Sequence, residues 1–166
     1  DWLLPHLRNK HTWIPLYILG AVFAFWKWKW NALWLIIFSL VTFALTDYIS
    51  SSIIKPAIGR LRPCNDPQLM GQVRLLLEHC GAGKSFTSSH ASNHFGLSAF
   101  IVFYFYPKYK WLIPVAFGWA FSVAFAQVYV GVHYPIDIVG GAALGTLLAF
   151  LVSLLMKAIQ KRFDRR

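Results

Sequence analysis

Three short polar segments interrupt a very apolar chain, and their residue types are those that phosphoryl transfer through a histidine requires. They are Lys55–Pro63, Thr87–His90 and His133–Asp137. Together they supply fixed cations, hydroxyl groups, two histidines and one carboxylate. Cations hold phosphoryl oxygens, and a histidine is a competent covalent nucleophile. We therefore expect the three segments to meet in one pocket that handles a phosphorylated molecule.

The first segment places three cations, Lys55, Arg60 and Arg62, within eight residues at the end of an apolar stretch. Arg62 can grip phosphate oxygens with two parallel hydrogen bonds, whereas Lys55 acts as a point charge. The alternative is an interfacial anchor for anionic lipid headgroups. This segment alone leaves both interpretations open.

The second segment places hydroxyl residues directly before an apolar run, which is typical of a helix N-terminus. The free N–H groups of such a helix form an anion site, and His90 lies in its first turn. His94 lies one turn further on the same face, where a structural role is favoured. A metal site on His90 and His94 lacks acidic ligands and the glutamate of the H-E-x-x-H pattern, so it is not favoured.

The third segment pairs His133 with Asp137, four residues later, and Pro135 suits the first position of a helix. The carboxylate can accept a hydrogen bond from one imidazole nitrogen and leave the other free to attack. The alternative is an interfacial histidine and a helix-start aspartate with no chemistry. Alongside the other two segments, the catalytic interpretation is the stronger one.

Apolar stretches must position these segments. The chain is 57% hydrophobic and only 13% charged, against about 25% charged in soluble domains. We predict an all-α, polytopic membrane helix bundle that forms a single domain over residues 1–166, with an outer loop of short helices at about 53–93. A soluble all-α protein would have to bury too many aromatic side chains. The five predicted spans are residues 12–27, 31–52, 94–107, 111–131 and 135–157.

Positive charges predict the orientation of the spans. Alternation puts nine cations on one side and seven on the other, and the richer side, with C-terminal cations that include Arg165 and Arg166, is cytoplasmic. All three polar segments then lie on the other side. Five spans leave the termini on opposite sides, which suggests an earlier, sixth helix. Because several of the cations that give the net charge of +10 flank apolar stretches, a nucleic-acid partner is not expected.

Cys64 and Cys80 are the only cysteines, and both lie in the predicted outer loop. In an oxidising compartment they could form a disulfide, which we favour over two free thiols. A loop of this size would gain about 3 kcal/mol in the chain-entropy model. Neither cysteine has a C-x-x-C partner, so a zinc site is not expected.

The order of the segments resembles that of the type 2 phosphatidic acid phosphatase superfamily of membrane lipid phosphatases. Its first motif, Lys, six residues, Arg-Pro, matches Lys55, Arg62 and Pro63 in full. Its second motif is Pro-Ser-Gly-His, of which Ser88 and His90 match while the Pro and Gly are replaced. The resemblance covers roughly residues 45–145.

The third motif of that family is Ser-Arg, five residues, His, three residues, Asp. His133 and Asp137 match it, but Ala126 and Gln127 stand where Ser-Arg is expected. The family arginine would be a third fixed cation, and a charge-assisted hydrogen bond is worth roughly 1.5–3 kcal/mol. Gln127 can still donate a hydrogen bond to the substrate phosphate, and we expect the missing charge to come from Arg60 or Lys84.

The resemblance implies a role for each matched position. His133 would be the nucleophile, Asp137 its orienting partner, and His90 the acid for the leaving oxygen and then the base for water. The reaction would need no metal and no cofactor. The phosphoryl group would be held by Lys55, Arg62 and Ser88, with the backbone amides of Ser88 and Ser89 assisting.

The implied protein is a lipid phosphatase on the outer face of a bacterial inner membrane, with the bilayer and a phosphorylated lipid as its partners. Candidate substrates are undecaprenyl diphosphate, phosphatidylglycerophosphate, phosphatidic acid and lipid A phosphates. With Gln127 present, we expect activity with an altered substrate preference. The alternatives are a non-catalytic lipid-phosphate binder and a membrane anion or lipid transporter. Nothing in the sequence predicts the oligomeric state.

Overall fold

The computed structural model describes residues 1–69 and 71–163, and in these ranges the chain is helical, with no β-strand. Short 3₁₀ turns cover Lys10–Trp13, Pro63–Asn65 and Pro67–Leu69, and a π-helix covers Ile49–Ile54. The α-helices of this part of the chain are α1 (Leu3–Leu7), α2 (Ile14–Trp28), α3 (Asn31–Tyr48), α4 (Lys55–Ile58), α5 (Ser89–Phe105), α6 (Leu112–Tyr129) and α7 (Pro135–Phe163).

Each predicted apolar stretch contains one long helix, and the two bounds that differ most from the prediction are the start of α5 and the end of α7. Helix α5 begins at Ser89 rather than at residue 94, because the Ser88 hydroxyl caps it by accepting a hydrogen bond from the Ala91 amide. Helix α7 runs on to Phe163 rather than 157, and cations in its last turn suit the negative end of the helix dipole. The polar flanks therefore lengthen the helices.

Three segments of the described chain are long and apolar enough to cross a membrane, namely Asn31–Leu69, Leu112–Tyr129 and Pro135–Phe163. Helices α2 and α5 are shorter, at 15 and 17 residues. The outer surfaces of the bundle are apolar, as lipid contact requires, with large exposed side chains such as Leu19, Leu40, Phe121 and Leu151. The fold is that of a membrane helix bundle, while the count of five spans and the outer loop stay predictions.

Helix α5 lies at the centre of the bundle and packs against α3, α6 and α7. Glycines on α7 allow the closest of these approaches. A Cβ atom at Gly141 would lie 2.6 Å from the Ser88 carbonyl oxygen, and one at Gly145 would lie 2.8 Å from the Gly96 amide nitrogen. Since α7 begins two residues before Asp137, this contact fixes where that carboxylate lies.

Replacing Gly145 by alanine is expected to lower the free energy of unfolding by about 1–3 kcal/mol, because the added methyl group overpacks a backbone contact. Activity should fall as well, since α7 would move away from α5. Thermal unfolding in detergent measures the loss. Gly118→Ala on α6 is the matched control, because a Cβ atom there meets nothing within 4 Å. Equal stability of the two variants would contradict the close α5–α7 contact.

The two ends of the bundle differ in character. At one end, α2, α5 and α7 finish around an aromatic-lined cavity of about 460 Å³, which Lys108 also lines. At the other end α3 and α6 finish and α5 and α7 begin, which brings the three polar segments together. Arg165 and Arg166, counted among the C-terminal cations, lie outside the described residues.

Candidate active site

A buried histidine–aspartate pair lies at the start of α7. The Nδ1 atom of His133 lies 3.3 Å from Oδ2 of Asp137, and the two residues are 3% and 0% exposed. Because a carboxylate oxygen only accepts hydrogen bonds, it selects the tautomer with the proton on Nδ1. The Nε2 atom of His133 then keeps its lone pair.

Three further donors hold the Asp137 carboxylate. The Ser85 hydroxyl and the Tyr134 amide, at 2.8 Å, donate to Oδ2. Arg60 Nη1 donates to Oδ1 at 3.4 Å, and its guanidinium lies 4.0 Å from the centre of the Tyr134 ring. Arg60 thus supports the Asp137 carboxylate in this structure, and its predicted contact with substrate phosphate stays a prediction. Ser85 was not among the predicted site residues.

Asp137→Asn is expected to lower kcat by about 10²–10⁴-fold with little change in KM. An asparagine has only one acceptor oxygen. Its NH₂ group must therefore face either Arg60, which now donates to Oδ1, or the Ser85, Tyr134 and His133 donors at Oδ2. The imidazole then loses its fixed tautomer. Asp66→Asn is the matched control, because Asp66 only accepts hydrogen bonds from the Tyr134 hydroxyl and the Gln68 amide. Similar losses in both variants, measured by steady-state kinetics, would contradict a specific role for Asp137.

Burial lowers the pKa of His133 below 6.5, its usual value, and the Arg62 and Lys55 charges add to this effect. The hydrogen bond and charge of Asp137 oppose the shift without reversing it. His133 is therefore neutral near pH 7, the form in which its Nε2 lone pair is available for attack.

The acid limb of the kcat/KM profile is expected to lie below pH 6.5, the ordinary histidine value. Protonation of Nε2 removes the lone pair, and a lowered pKa moves that loss to more acidic pH. Measuring kcat/KM between about pH 4 and 8, with the lipid dispersed in a fixed excess of detergent, locates the midpoint of this limb. A midpoint at or above the ordinary value would assign the limb to another group.

Lys55 and Arg62 both act electrostatically on His133. The Arg62 guanidinium donates from Nε to the Gly83 carbonyl at 2.9 Å and from Nη1 to the Cys80 carbonyl at 3.4 Å. Cys80 is joined to Cys64 by a disulfide, with the two Cα atoms 5.8 Å apart. The bridged loop thus orients Arg62 and leaves its other N–H groups for an anion.

The π-helix Ile49–Ile54 directly precedes Lys55 and was not predicted from the sequence. Such segments alter the register of a helix and occur often at functional sites. Within it, the buried Ser50 hydroxyl lies 3.0 Å from that of Thr87 and 2.9 Å from that of Ser89. This hydroxyl cluster ties the end of α3 to the start of α5, and so ties Lys55 to the second polar segment.

Several predicted anion-binding groups at the start of α5 already have hydrogen-bond partners within the protein. Ser88 is fully buried, its hydroxyl caps the helix, and its amide donates to the Asp137 carbonyl at 3.0 Å. The Ser88 amide is therefore not free for phosphate, and the Ser89 hydroxyl is engaged with Ser50. The first-turn amides of Ser89 and His90 remain, since a helix cannot satisfy its own first N–H groups.

The charges of Arg8 and Lys55 act on His90, and the Ser88 amide bond to the Asp137 carbonyl holds the second segment beside the third. His94 has structural contacts, with its Nδ1 2.9 Å from the His90 carbonyl oxygen and its ring edge-on to Trp119. The two histidine rings are stacked with their centres 6.4 Å apart. Among the described residues, no group of three or more His, Cys, Asp or Glu side chains is placed to hold a metal ion.

Gln127, on α6, is buried beside the site, and its amide is oriented by Arg8. The Nε atom of Arg8 donates to Oε1 of Gln127 at 3.3 Å. The Gln127 Nε2 group is buried and has no hydrogen-bond partner in the part of the chain that the structure describes. Lys84, one of the two residues expected to replace the missing cation, has an exposed side chain. Arg8 was not predicted, because it lies 119 positions away in the sequence.

The structure thus defines a membrane helix bundle with a buried histidine–aspartate pair among cations at one end. A family model for the PAP2 superfamily matches residues 32–161. The chain belongs to this superfamily.

Several known proteins are similar to the chain. It is 33% identical over 148 residues to a lipid A 4′-phosphatase of Bacteroides thetaiotaomicron and 31% identical over 150 residues to one of Porphyromonas gingivalis. These matches cover 87% and 88% of the chain but only 64% and 61% of the relatives. The crystal structure of a PAP2-type phosphatidylglycerolphosphate phosphatase from Bacillus subtilis superimposes with a TM-score of 0.70 at 26% identity, covering 94% of this chain and 74% of that one.

Proposed function

We propose that the chain is a metal-independent lipid phosphatase that removes a phosphoryl group from a lipid headgroup at the membrane surface. The observation that carries this proposal is the buried His133–Asp137 pair, on which the positive charges of Lys55 and Arg62 act. Five helices would cross the membrane as one domain over residues 1–166. The buried ionisable side chains of the described chain gather at one end of the bundle, which favours an enzyme over a transporter.

The first step is attack by Nε2 of His133 on phosphorus. A P–N bond forms, the P–O bond to the lipid breaks, and His90, which enters this step as the imidazolium, gives a ring N–H proton to the departing oxygen and becomes a neutral imidazole. Lys55, Arg62 and the free first-turn amides of α5 stabilise the charge on the other phosphoryl oxygens. Asp137 stabilises the positive charge that develops on the imidazole.

The second step is hydrolysis of the phosphohistidine. His90, now deprotonated, takes a proton from water as the water oxygen attacks phosphorus. The P–N bond breaks, its electron pair returns to His133, and inorganic phosphate leaves. The proton gained by His90 restores the starting state, so the cycle needs water as the only other reactant.

Lipid A 4′-phosphate is the substrate we place first, because two relatives that match 87% and 88% of the chain carry that activity in their names. Phosphatidylglycerophosphate follows from the similar solved structure. Undecaprenyl diphosphate and phosphatidic acid remain competitors, as all four present a phosphoryl group at a bilayer surface. We place the active site on the periplasmic side of a bacterial inner membrane.

Phosphate release from the four lipids tests the proposal, with purified protein in mixed micelles containing EDTA. Release by the wild type well above that of His133→Ala is expected, with lipid A phosphate the fastest. Loss of activity on chelation would contradict a metal-independent reaction. Binding of a lipid phosphate without turnover would instead make the protein a non-catalytic binder.

A further inference from the structure

The α6 wall of the site carries a neutral, buried amide where a cation is expected. Gln127 is 1% exposed, and its Oε1 atom accepts the hydrogen bond from Arg8. A guanidinium only donates, so this contact fixes the amide with its NH₂ group pointing the other way. That NH₂ group has no acceptor among the described residues. A buried donor without a partner is costly, which indicates an acceptor that arrives with a ligand.

Arg8 is a half-buried cation with nothing negative beside it in the described chain. It follows α1, a short helix that packs against α6. Its hydrogen bond goes to a neutral amide, and the ion pairs of the described residues do not include it. Burial and the nearby charge of Arg62 both lower the pKa of Arg8. An anion between the two guanidinium groups would relieve their repulsion.

Besides Lys55 and Arg62, two further arginines near this end of the bundle have carboxylate partners. Arg60 pairs with Asp137, and Arg74 pairs with Asp1 at 2.7 Å on an exposed surface. Arg8, by contrast, lies within electrostatic range of both His90 and Arg62. It therefore faces the phosphoryl-transfer centre from the side where Gln127 replaces a cation.

We propose that Arg8 is the third phosphoryl-holding cation of this site, with Gln127 orienting it and donating its own NH₂ group to the same phosphoryl group. This inference rests on the proposed phosphatase function. Arg8 lies outside residues 32–161, the part that matches the family model. A residue from the start of the chain would thus complete a phosphoryl-binding pocket whose other side chains, Lys55, Arg62 and Gln127, lie within the residues that match the family model.

Arg8→Ala should lower kcat/KM for lipid phosphate hydrolysis by about 10²–10³-fold, the usual loss when a preorganised donor is removed from a developing charge. Arg74→Ala is the matched control, because it removes an exposed arginine that contacts the same N-terminal segment through Asp1, and its activity should stay at the wild-type level. The double variant Arg8→Ala/Gln127→Arg should recover at least tenfold over Arg8→Ala, since it returns a cation to α6.

Orthovanadate binding separates this inference from the proposed function. Vanadate mimics the phosphoryl group and should raise the melting temperature of the wild type and of Arg74→Ala, but not that of Arg8→Ala. If the wild type hydrolyses no lipid faster than His133→Ala while vanadate binding still depends on Arg8, the phosphatase proposal fails and this inference stands. If Arg8→Ala keeps wild-type kinetics and vanadate binding, or if the double variant is no better than Arg8→Ala, Arg8 does not hold the phosphoryl group.

Discussion

His133→Ala is expected to lower kcat/KM for phosphate release by about 10⁴-fold or more, the largest loss of any single substitution in this chain. In the proposed cycle the Nε2 atom of His133 forms the P–N bond with its lone pair, and alanine has no atom that could replace it. Ser85 and Arg60 would then hold an Asp137 carboxylate that has no imidazole left to orient. Because the remaining cations still bind phosphate, substrate affinity should fall far less than turnover.

A direct measurement of the intermediate strengthens this prediction. Brief reaction with ³²P-labelled lipid, stopped with base, should leave label on the wild type, and the label should be lost in acid because P–N bonds are acid-labile. His133→Ala should carry none. His79→Ala is the matched control, because His79 is an exposed histidine of the loop before α5. Label on His133→Ala protein would place the nucleophile elsewhere.

Local sequence spacing predicts the parts of the site that lie within one helical turn. The four-residue interval between His133 and Asp137 is enough to pair them once a helix begins at Pro135. The Thr-Ser-Ser-His run likewise indicates the start of α5, since a hydroxyl before an apolar run is a good cap. Such short-range features depend on backbone geometry, which the sequence carries directly.

Contacts between distant segments could not be predicted in the same way. Ser85 reaches Asp137 across 52 positions, and Arg8 reaches Gln127 across 119. Neither residue belongs to a spacing pattern, and each contact depends on how the helices pack. The π-helix before Lys55 has no sequence signal in this chain that we recognise.

Ser88 shows how one signal can have two physical meanings. A hydroxyl at a helix start predicts both a cap and an anion ligand, and here capping engages the hydroxyl while Asp137 engages the amide. Arg60 is similar, because a cation next to a phosphate motif can also pair with a carboxylate, as it does here with Asp137. Only the packed structure decides between such uses.

His90→Gln is expected to lower kcat by about 10²–10⁴-fold on lipid substrates, the range for loss of a general acid–base group. The alkoxide that leaves a lipid phosphate needs a proton, which His90 supplies. In p-nitrophenyl phosphate the leaving group needs none, so the first step should be much less affected. The second step still lacks its base, and the variant should release one equivalent of nitrophenol quickly and then turn over slowly.

This burst distinguishes acid–base catalysis by His90 from a structural role. The phosphohistidine on His133 should accumulate in His90→Gln during the slow phase, and base-stopped labelling should detect it. His94→Gln is the matched control, because His94 lies on the same face but contacts Trp119 and the His90 carbonyl. That variant should lose stability while keeping the wild-type ratio of lipid to aryl rates. Equal losses on both substrates without a burst in His90→Gln would mean that His90 only shapes the pocket.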